Sequence, residues 1–492
     1  MREHLPALQV VLPLLGALLA ALVRRPLAAW LVSLVVCVAT LAVSVGLLLQ
    51  VIDTSFVSYQ LGGWDPSLGI EYRVDIVNAI ILVLVSAVAA ISLPYARLSV
   101  ASEIPDDKVA WFYTMYLVAL AGLLGIAITN DAFNAFVFLE VSSLSSYALI
   151  AMGRDRRGLV AAYQYLIMGT IGAGFYVIGV GFLYMMTGTL NLTLIAERIG
   201  DVETIRPILA GIAFILVGLS LKIALFPLHA WLPNAYAYAP AVATVLLAAT
   251  ATKVAVYLFV RYVYSVFGAS LVWVDLPLRP ILLAMSIAAI FGAATVAVFQ
   301  SNLKRMFAYS SVAQIGYITL GLSLTTVLGV TGGLVHLLNH ALIKGAIFMG
   351  LGAIVFRTRR ISIDDVGGVG RVMPFTTAAV VLAGLSLVGI PGTAGFISKW
   401  YLIVAALDLG WWWLAALIVL SSMITMVYVG RFIEAAYFRA PAKALQGARE
   451  APLEMLLPMW LLAAATVWFG IDTTWTAGLA EQAATVLVGG LR

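Results

Sequence analysis

The chain has one cysteine, four histidines and only 10% charged residues in 492 positions. Cys37 stands alone in an apolar run. That excludes a disulfide framework and a cysteine ligand set for zinc or an iron–sulfur cluster. Charge this thin, beside 63% hydrophobic residues and a mean hydropathy of +1.06, excludes an ordinary soluble globular domain. The sequence contains no G-x-x-x-x-G-K-[ST] phosphate loop and no G-x-G-x-x-G after a strand. No cofactor is therefore expected, and energy must come from an ion gradient or from partner subunits. The net charge of +5 is spread over short loops and forms no basic patch, so nucleic acid is not an expected partner.

Long apolar runs fill the remainder. A membrane helix needs about 20 apolar residues and must satisfy its own backbone hydrogen bonds. Polar breaks divide the chain into about fourteen such runs, which predicts an all-α polytopic membrane protein in contact with the lipid bilayer. The first seven spans are 5–23, 28–50, 73–96, 109–129, 132–152, 159–187 and 207–228. The other seven are 240–264, 279–299, 306–325, 328–356, 374–395, 411–438 and 453–471, with 397–410 completing a broken twelfth. The N-terminal run, Leu5 to Val23, lacks a small-residue cleavage site and reads as the first span. The tail from Asp472 to Arg492 is too mixed to assign.

Lys and Arg are unevenly shared between the two sides. Loops after odd-numbered spans hold sixteen of them, including Arg24, Arg154, Lys304 and Arg359; the opposite side holds seven, among them Arg73, Arg261 and Arg492. By the positive-inside rule the odd loops are cytoplasmic and both termini face outward, in the cell (inner) membrane of a prokaryote.

Two spans are interrupted beside a lysine. "LKIALFPLHAWLP" carries Lys222, Pro227, His229 and Pro233; "VGIPGTAGFISKW" carries Pro391, Gly392 and Lys399. The lysines are 399 − 222 = 177 residues apart, which is five spans. An odd offset inverts topology, so the expected organisation is two inverted five-helix repeats with helices 7 and 12 broken. The expected divisions are 1–108, 109–266, 267–440 and 441–492. A similar offset of 174 carries Glu140 onto Gln314. Paired, interrupted spans in corresponding positions point to an ion site.

An ionisable group at mid-membrane is expensive, so it marks a cavity, a partner or an ion path. Glu140 lies inside "FNAFVFLEVSSLSSYALI", where Ser142, Ser143, Ser145 and Ser146 could hold water near it. Lys222 is its natural counter-charge. A closed Glu–Lys pair keeps the lysine protonated, whereas an unpaired ammonium in apolar surroundings releases its proton more readily. Lys253 lies mid-span in the next helix. His336, His340 and Lys344 stand at i, i+4 and i+8 and share one helix face. Histidine titrates near neutrality, which suits a relay. No local carboxylate or cysteine turns this stripe into a metal site, and none is expected. Lys399 closes the series, while His229 either relays protons or binds carbonyls freed at the first break. Arg431 and Glu434, at i and i+3, suggest an interfacial ion pair, and Asp131 a helix cap.

The segments quoted above, with "ATKVAVYL", "SNLKRMFAYSSVAQIGYITLGL" and "HLLNHALIKGAIFMGLGAI", resemble the antiporter-like family. That family holds the large subunits of Mrp-type Na+/H+ antiporters and the proton-pumping membrane subunits of respiratory complex I and related hydrogenases. The resemblance runs from about the third to the thirteenth span. It implies fourteen helices with inverted five-helix repeats and breaks in helices 7 and 12. It also implies a proton pathway through Glu140, Lys222, Lys253, His336, His340, Lys344 and Lys399. "FNAFVFLEV" and "GFISKW" resemble the D-type large subunit of Mrp antiporters, implying a component of a monovalent cation (Na+)/H+ antiporter working among other hydrophobic subunits. The alternative is a proton-pumping subunit of a complex I-type NADH dehydrogenase or membrane-bound hydrogenase. On either reading the chain is a transporter subunit rather than an enzyme by itself.

Overall fold

The computed structural model describes residues 2–268 and 270–489; Arg492, counted above among the loop arginines, lies outside them. The chain is almost wholly helical. α1 (Leu5–Val23) and α2 (Pro26–Thr54) pack on each other and on α4 and α3. Between α2 and α3 the polar stretch forms an antiparallel hairpin, β1 (Phe56–Gln60) with β2 (Glu71–Asp75). The hydropathy reading passes over this hairpin and starts the third span inside it. Strand alternation puts Glu71, Arg73 and Asp75 on one face. Asp75 then caps α3 (Ile76–Glu103), accepting from Val77 N at 3.0 Å and Asn78 N at 3.3 Å.

The first unit comprises α4 (Val109–Ile128), α5 (Ala132–Ala151), α6 (Arg157–Thr187), a short α7 (Leu192–Arg198), α8 (Ile205–Ile223) and α9 (Leu232–Tyr238). It ends with α10 (Ala241–Leu246) and α11 (Thr252–Val260), which form one continuous rod through a π-turn at Leu247–Ala251. The second unit comprises α12 (Leu278–Val298), α13 (Leu303–Ser323), α14 (Val327–Thr358), a one-turn α15 (Val369–Val372), α16 (Pro374–Val388), α17 (Ala394–Asp408) and α18 (Trp412–Ile433). α19 (Leu453–Ile471) and α20 (Thr476–Gly489) complete the chain. Most of the tail without an assignment is thus a helix, packed on α14 and α3.

Among the described residues, twelve helices are long and apolar enough to cross a membrane. The other two expected spans are α13, of similar length but less apolar, with Lys304, Arg305, three serines, Gln314 and Thr319, and the α16–α17 pair, cut short by its break.

The packing order repeats. α4 lies on α5, α5 on α6 and α6 on α8; α12 lies on α13, α13 on α14 and α14 on α16. The entries to the fifth and tenth spans carry the same clasp. Ala132 N donates to Leu190 O and Leu192 N to Asn130 O, both at 2.8 Å. Leu303 N donates to Ile361 O at 3.0 Å and Ile363 N to Ser301 O at 2.8 Å. Each pair is offset alike (303 − 132 = 171; 361 − 190 = 171). Each helix is also capped alike, by Asp131 accepting from Asn134 N at 2.6 Å and Asn302 from Arg305 N at 3.0 Å. Five crossings separate the clasps, so they lie on opposite faces. In this register Glu140 corresponds to Ser311 and not to Gln314, because the helix starts fix the offset at 171.

α6 meets α8 through paired glycines. A Cβ on Gly218 would lie 2.5 Å from Gly172 O, and one on Gly179 would lie 2.6 Å from Gly211 O. Small residues permit such close approach where lipid supplies no hydrophobic drive between helices.

Candidate proton pathway

Glu140 projects from α5 toward the end of α8, where Lys222 Nζ lies 3.6 Å from its Oε1. Lys222 is buried and also donates to Ser143 Oγ at 2.7 Å. The expected bed of four serines does not form. Ser142, Ser145 and Ser146 turn back onto the α5 carbonyls of Leu139, Val141 and Ser142, and only Ser143 reaches the lysine. Glu140 Oε1 accepts no hydrogen bond and its side chain is 24% exposed, so the pair is in contact without being locked.

Beside it runs an aromatic ladder that apolar periodicity could not distinguish from core. Tyr147 meets Tyr165 edge-on at 4.6 Å, and Tyr165 stacks on Trp231 at 4.0 Å. Trp231 Nε1 donates to Leu221 O at 2.9 Å, tying the ladder to the last turn before the break.

α8 ends because Ala224 adopts a left-handed conformation (φ 60°). Pro227 follows within the interruption, after a cis peptide bond. Pro233 does not break a helix; it occupies the first turn of α9, where its missing N–H is harmless. His229 stacks on Phe226 at 5.1 Å and leaves Nδ1 without a hydrogen-bond partner.

The second break begins at Gly389 (φ 90°) and continues through Pro391 and Gly392 (φ 83°). Gly395 rests on the Ser386 carbonyl so closely that a side chain would not fit. Lys399 folds back over the gap, donating to Leu387 O at 3.2 Å, Val388 O at 2.8 Å and Ser422 Oγ at 3.0 Å. It therefore supplies a charge to the orphan carbonyls of α16. Lys222 stands two residues before its left-handed cap, and Lys399 stands ten after (224 − 222 = 2; 399 − 389 = 10). The lysines flank their breaks from opposite sides, and their 177-residue spacing is not the structural register.

Between these ends lie the remaining buried groups. Lys253 is fully buried and donates to Ala248 O inside the π-turn and to Thr252 Oγ1 at 3.3 Å. The wide turn rearranges the backbone ladder there, as π-turns commonly do at functional positions. Tyr236 Oη donates to Leu247 O of the same turn at 3.2 Å. Among the described residues no hydrogen bond joins Lys222 directly to Lys253.

On α14, His336 is held from both sides, Nδ1 to Ser398 Oγ at 2.8 Å and Nε2 to Gln314 Oε1 at 3.0 Å. The His340 ring lies nearly parallel, 6.3 Å away, with neither nitrogen hydrogen-bonded. Lys344 donates to Phe307 O at 2.7 Å and to the Ser310 hydroxyl. Tyr317 lies 5.3 Å from His336 and beneath Lys399 Nζ at 4.8 Å, so α13, α14 and α17 bring two expected site residues and one unexpected tyrosine together.

Four charged positions differ from expectation. Arg261 is not a loop residue; it extends the α11 rod and pairs with Asp75 at 2.7 Å. Glu434 pairs with Arg439 at 2.8 Å, leaving Arg431 to the carbonyls of Val298 and Gln300. Lys304, unremarked in the sequence beyond its loop position, is buried and donates to Ala239 O at 3.3 Å.

Residues 129–425, more than half of the chain, match the family described as NADH:quinone oxidoreductase/Mrp antiporter, transmembrane region. The chain belongs to this family. Among its curated relatives, NADH-quinone oxidoreductase subunit N of Desulforudis audaxviator is 41% identical over 96% of both chains. The D-type subunit of a Na+/H+ antiporter from Alkalihalophilus pseudofirmus is 29% identical over 88% of this chain and 86% of its own. Two solved structures superpose with TM-scores of 0.89. One belongs to the Mrp complex of Dietzia (26% identical, covering 99% and 97%) and the other to an archaeal membrane-bound sulfane sulfur reductase (30% identical, covering 99% of each). The chain is thus an antiporter-like, multi-pass membrane subunit, and its buried charges lie on a fold shared with subunits of an Mrp complex and of an archaeal respiratory membrane complex.

Proposed function

We propose that this chain translocates protons across a prokaryotic membrane as one subunit of a larger complex, through Glu140, Lys222, Lys253, His336, His340, Lys344 and Lys399. The observation that carries this reading is the unlocked Glu140–Lys222 contact at 3.6 Å, followed by buried titratable groups that reach Lys399. Lys253, Lys344 and Lys399 are held by carbonyls or hydroxyls rather than by a carboxylate. A proton can therefore leave any of these three without stranding a buried anion.

The identity of 41% over nearly the full length supports a redox-driven complex as the setting, reversing the order favoured by the short motifs. The second reading, exchange of protons for Na+ or another monovalent cation, is supported by the antiporter relative and the Mrp structural match. In both settings the hairpin face and both termini are proposed to lie outside.

The test is proton flux in vesicles containing the purified complex. Glu140→Gln or Lys222→Ala is expected to abolish flux with assembly intact; full flux in either refutes the path. Copurifying flavin or iron–sulfur subunits assign the redox setting. Na+-dependent flux without them assigns the exchanger.

A further inference from the structure

A buried relay needs an aqueous end, and on the hairpin side one is built around the far end of the Lys253 helix. A cavity of about 230 Å³ opens there between Arg73, Asp75, Thr193, Tyr257, Arg261 and Ser265. Lys253, Tyr257 and Arg261 stand at i, i+4 and i+8 and rise along one helix face toward it. Arg261 Nε donates to Tyr257 Oη at 3.2 Å, while its two terminal nitrogens grip the Asp75 carboxylate at 2.7 and 2.8 Å. Asp75 is itself fixed as the cap of α3, and Arg73 beside it is tied to Thr193 at 3.2 Å. Elsewhere the helix is largely buried, and the cavity of about 240 Å³ that reaches it at Phe259 is lined almost wholly by apolar side chains.

We infer that this cavity is the proton port of the hairpin face, with Tyr257 as its inner step and the Asp75–Arg261 pair as its gate. The inference rests on the proton-translocation reading above. A proton leaving the Lys253 ammonium passes by the Tyr257 hydroxyl to solvent water in the cavity, and the lysine amine left behind is reloaded from the relay; the reverse order loads it. Arg261 never loses its proton and so cannot relay one, and pinned by Asp75 across the inner end it covers the Tyr257 hydroxyl. Released from Asp75, the guanidinium can swing into the cavity and uncover Tyr257. The geometry is selective in another respect. An Asn at position 75 still caps α3 but no longer holds a charge-matched guanidinium.

The test uses the intact complex in sealed vesicles, read by a trapped pH-sensitive dye. A Ser265→Cys variant is labelled from each side in turn with a membrane-impermeant thiol reagent carrying a fixed positive charge; Cys37, the natural cysteine, is buried. Complete labelling from the hairpin side is expected to slow flux by about fivefold or more against the same unlabelled variant. Asp75→Asn is expected to raise passive proton leak several-fold with assembly unchanged. Full flux after complete labelling, failure to label from the hairpin side, or normal leak in an assembled Asp75→Asn complex each overturns the port. Lys253→Ala separates the two levels. If it silences flux while the labelled variant runs normally, the port lies elsewhere and the relay stands. If it leaves flux intact, the relay itself is wrong.

Discussion

Adding one methyl group at Gly218 is expected to weaken the Glu140–Lys222 pair from a turn away. The new Cβ would meet Gly172 O at 2.5 Å and Tyr176 N at 2.7 Å, both backbone atoms that cannot rotate aside. Restoring a normal contact of about 3.4 Å requires α8 to move off α6 by about 0.9 Å. Lys222 lies four residues further along α8 and travels with it, while Glu140 stays on α5, which remains packed on α6. The charges, now 3.6 Å apart, would then be separated by about 4.5 Å. At an effective dielectric constant of about 20 their attraction falls from about 4.6 to about 3.7 kcal/mol, roughly a fivefold loss of the paired state. Proton uptake into vesicles, normalised to assembled complex, should slow by that factor. Gly211→Ala is the control. Its Cβ would meet Gly179 O at 3.0 Å, a milder clash placed eleven residues before Lys222 (222 − 211 = 11). Equal slowing in both variants, or normal flux in Gly218→Ala, would refute the geometric link.

Asp75 gives a pH signature. Burial raises its carboxyl, but the Arg261 charge together with the hydrogen bonds from Arg261, Asn78 N and Val77 N outweighs burial and holds it below the usual carboxylate range. Such a group stabilises the fold fully above its unfolded value of about 4, and the contribution is lost as pH falls through the lower folded value. The melting-temperature gap between the native chain and Asp75→Asn should therefore stay constant from neutrality to about pH 5 and close below that; a gap that widens on acidification contradicts the assignment. Gln314→Leu removes the acceptor at His336 Nε2, which should cost about 1–3 kcal/mol in thermal or denaturant unfolding and slow flux. Gly395→Ala drives a Cβ into the Ser386 carbonyl and should prevent assembly, visible as loss of copurifying subunits.

What the sequence made legible follows from which signals survive without partners. Span lengths are a direct consequence of membrane thickness, and both broken helices announce themselves through proline beside a lysine, joined by glycine in the second. A lone charge in an apolar run is equally visible, which is why Glu140, Lys222, Lys253 and Lys344 could be picked out. What could not be read is set by geometry between distant segments. The glycine pairs of α6 and α8 are ordinary membrane-helix glycines until two helices are laid together. Tyr317 and the Tyr147–Tyr165–Trp231 ladder look like core. Arg261 sits at the edge of its span, where a guanidinium normally belongs to a loop, and only the hairpin carrying Asp75 turns it inward. That hairpin hides because its five-residue strands are too short and too polar to register as membrane structure.

The twin clasps at Leu190–Ala132 and Ile361–Leu303 bear on direction. A folding unit held by the same backbone bracket at either surface is at home in the membrane whichever way up it lies. Such a unit carries no arrow. The vectorial character of transport must then reside where the two copies disagree: a carboxylate at Glu140 against a hydroxyl at Ser311, a lysine before one break against a lysine after the other. Swapping those few side chains, rather than inverting whole helices, would be the economical way to reverse which side of the molecule loads first.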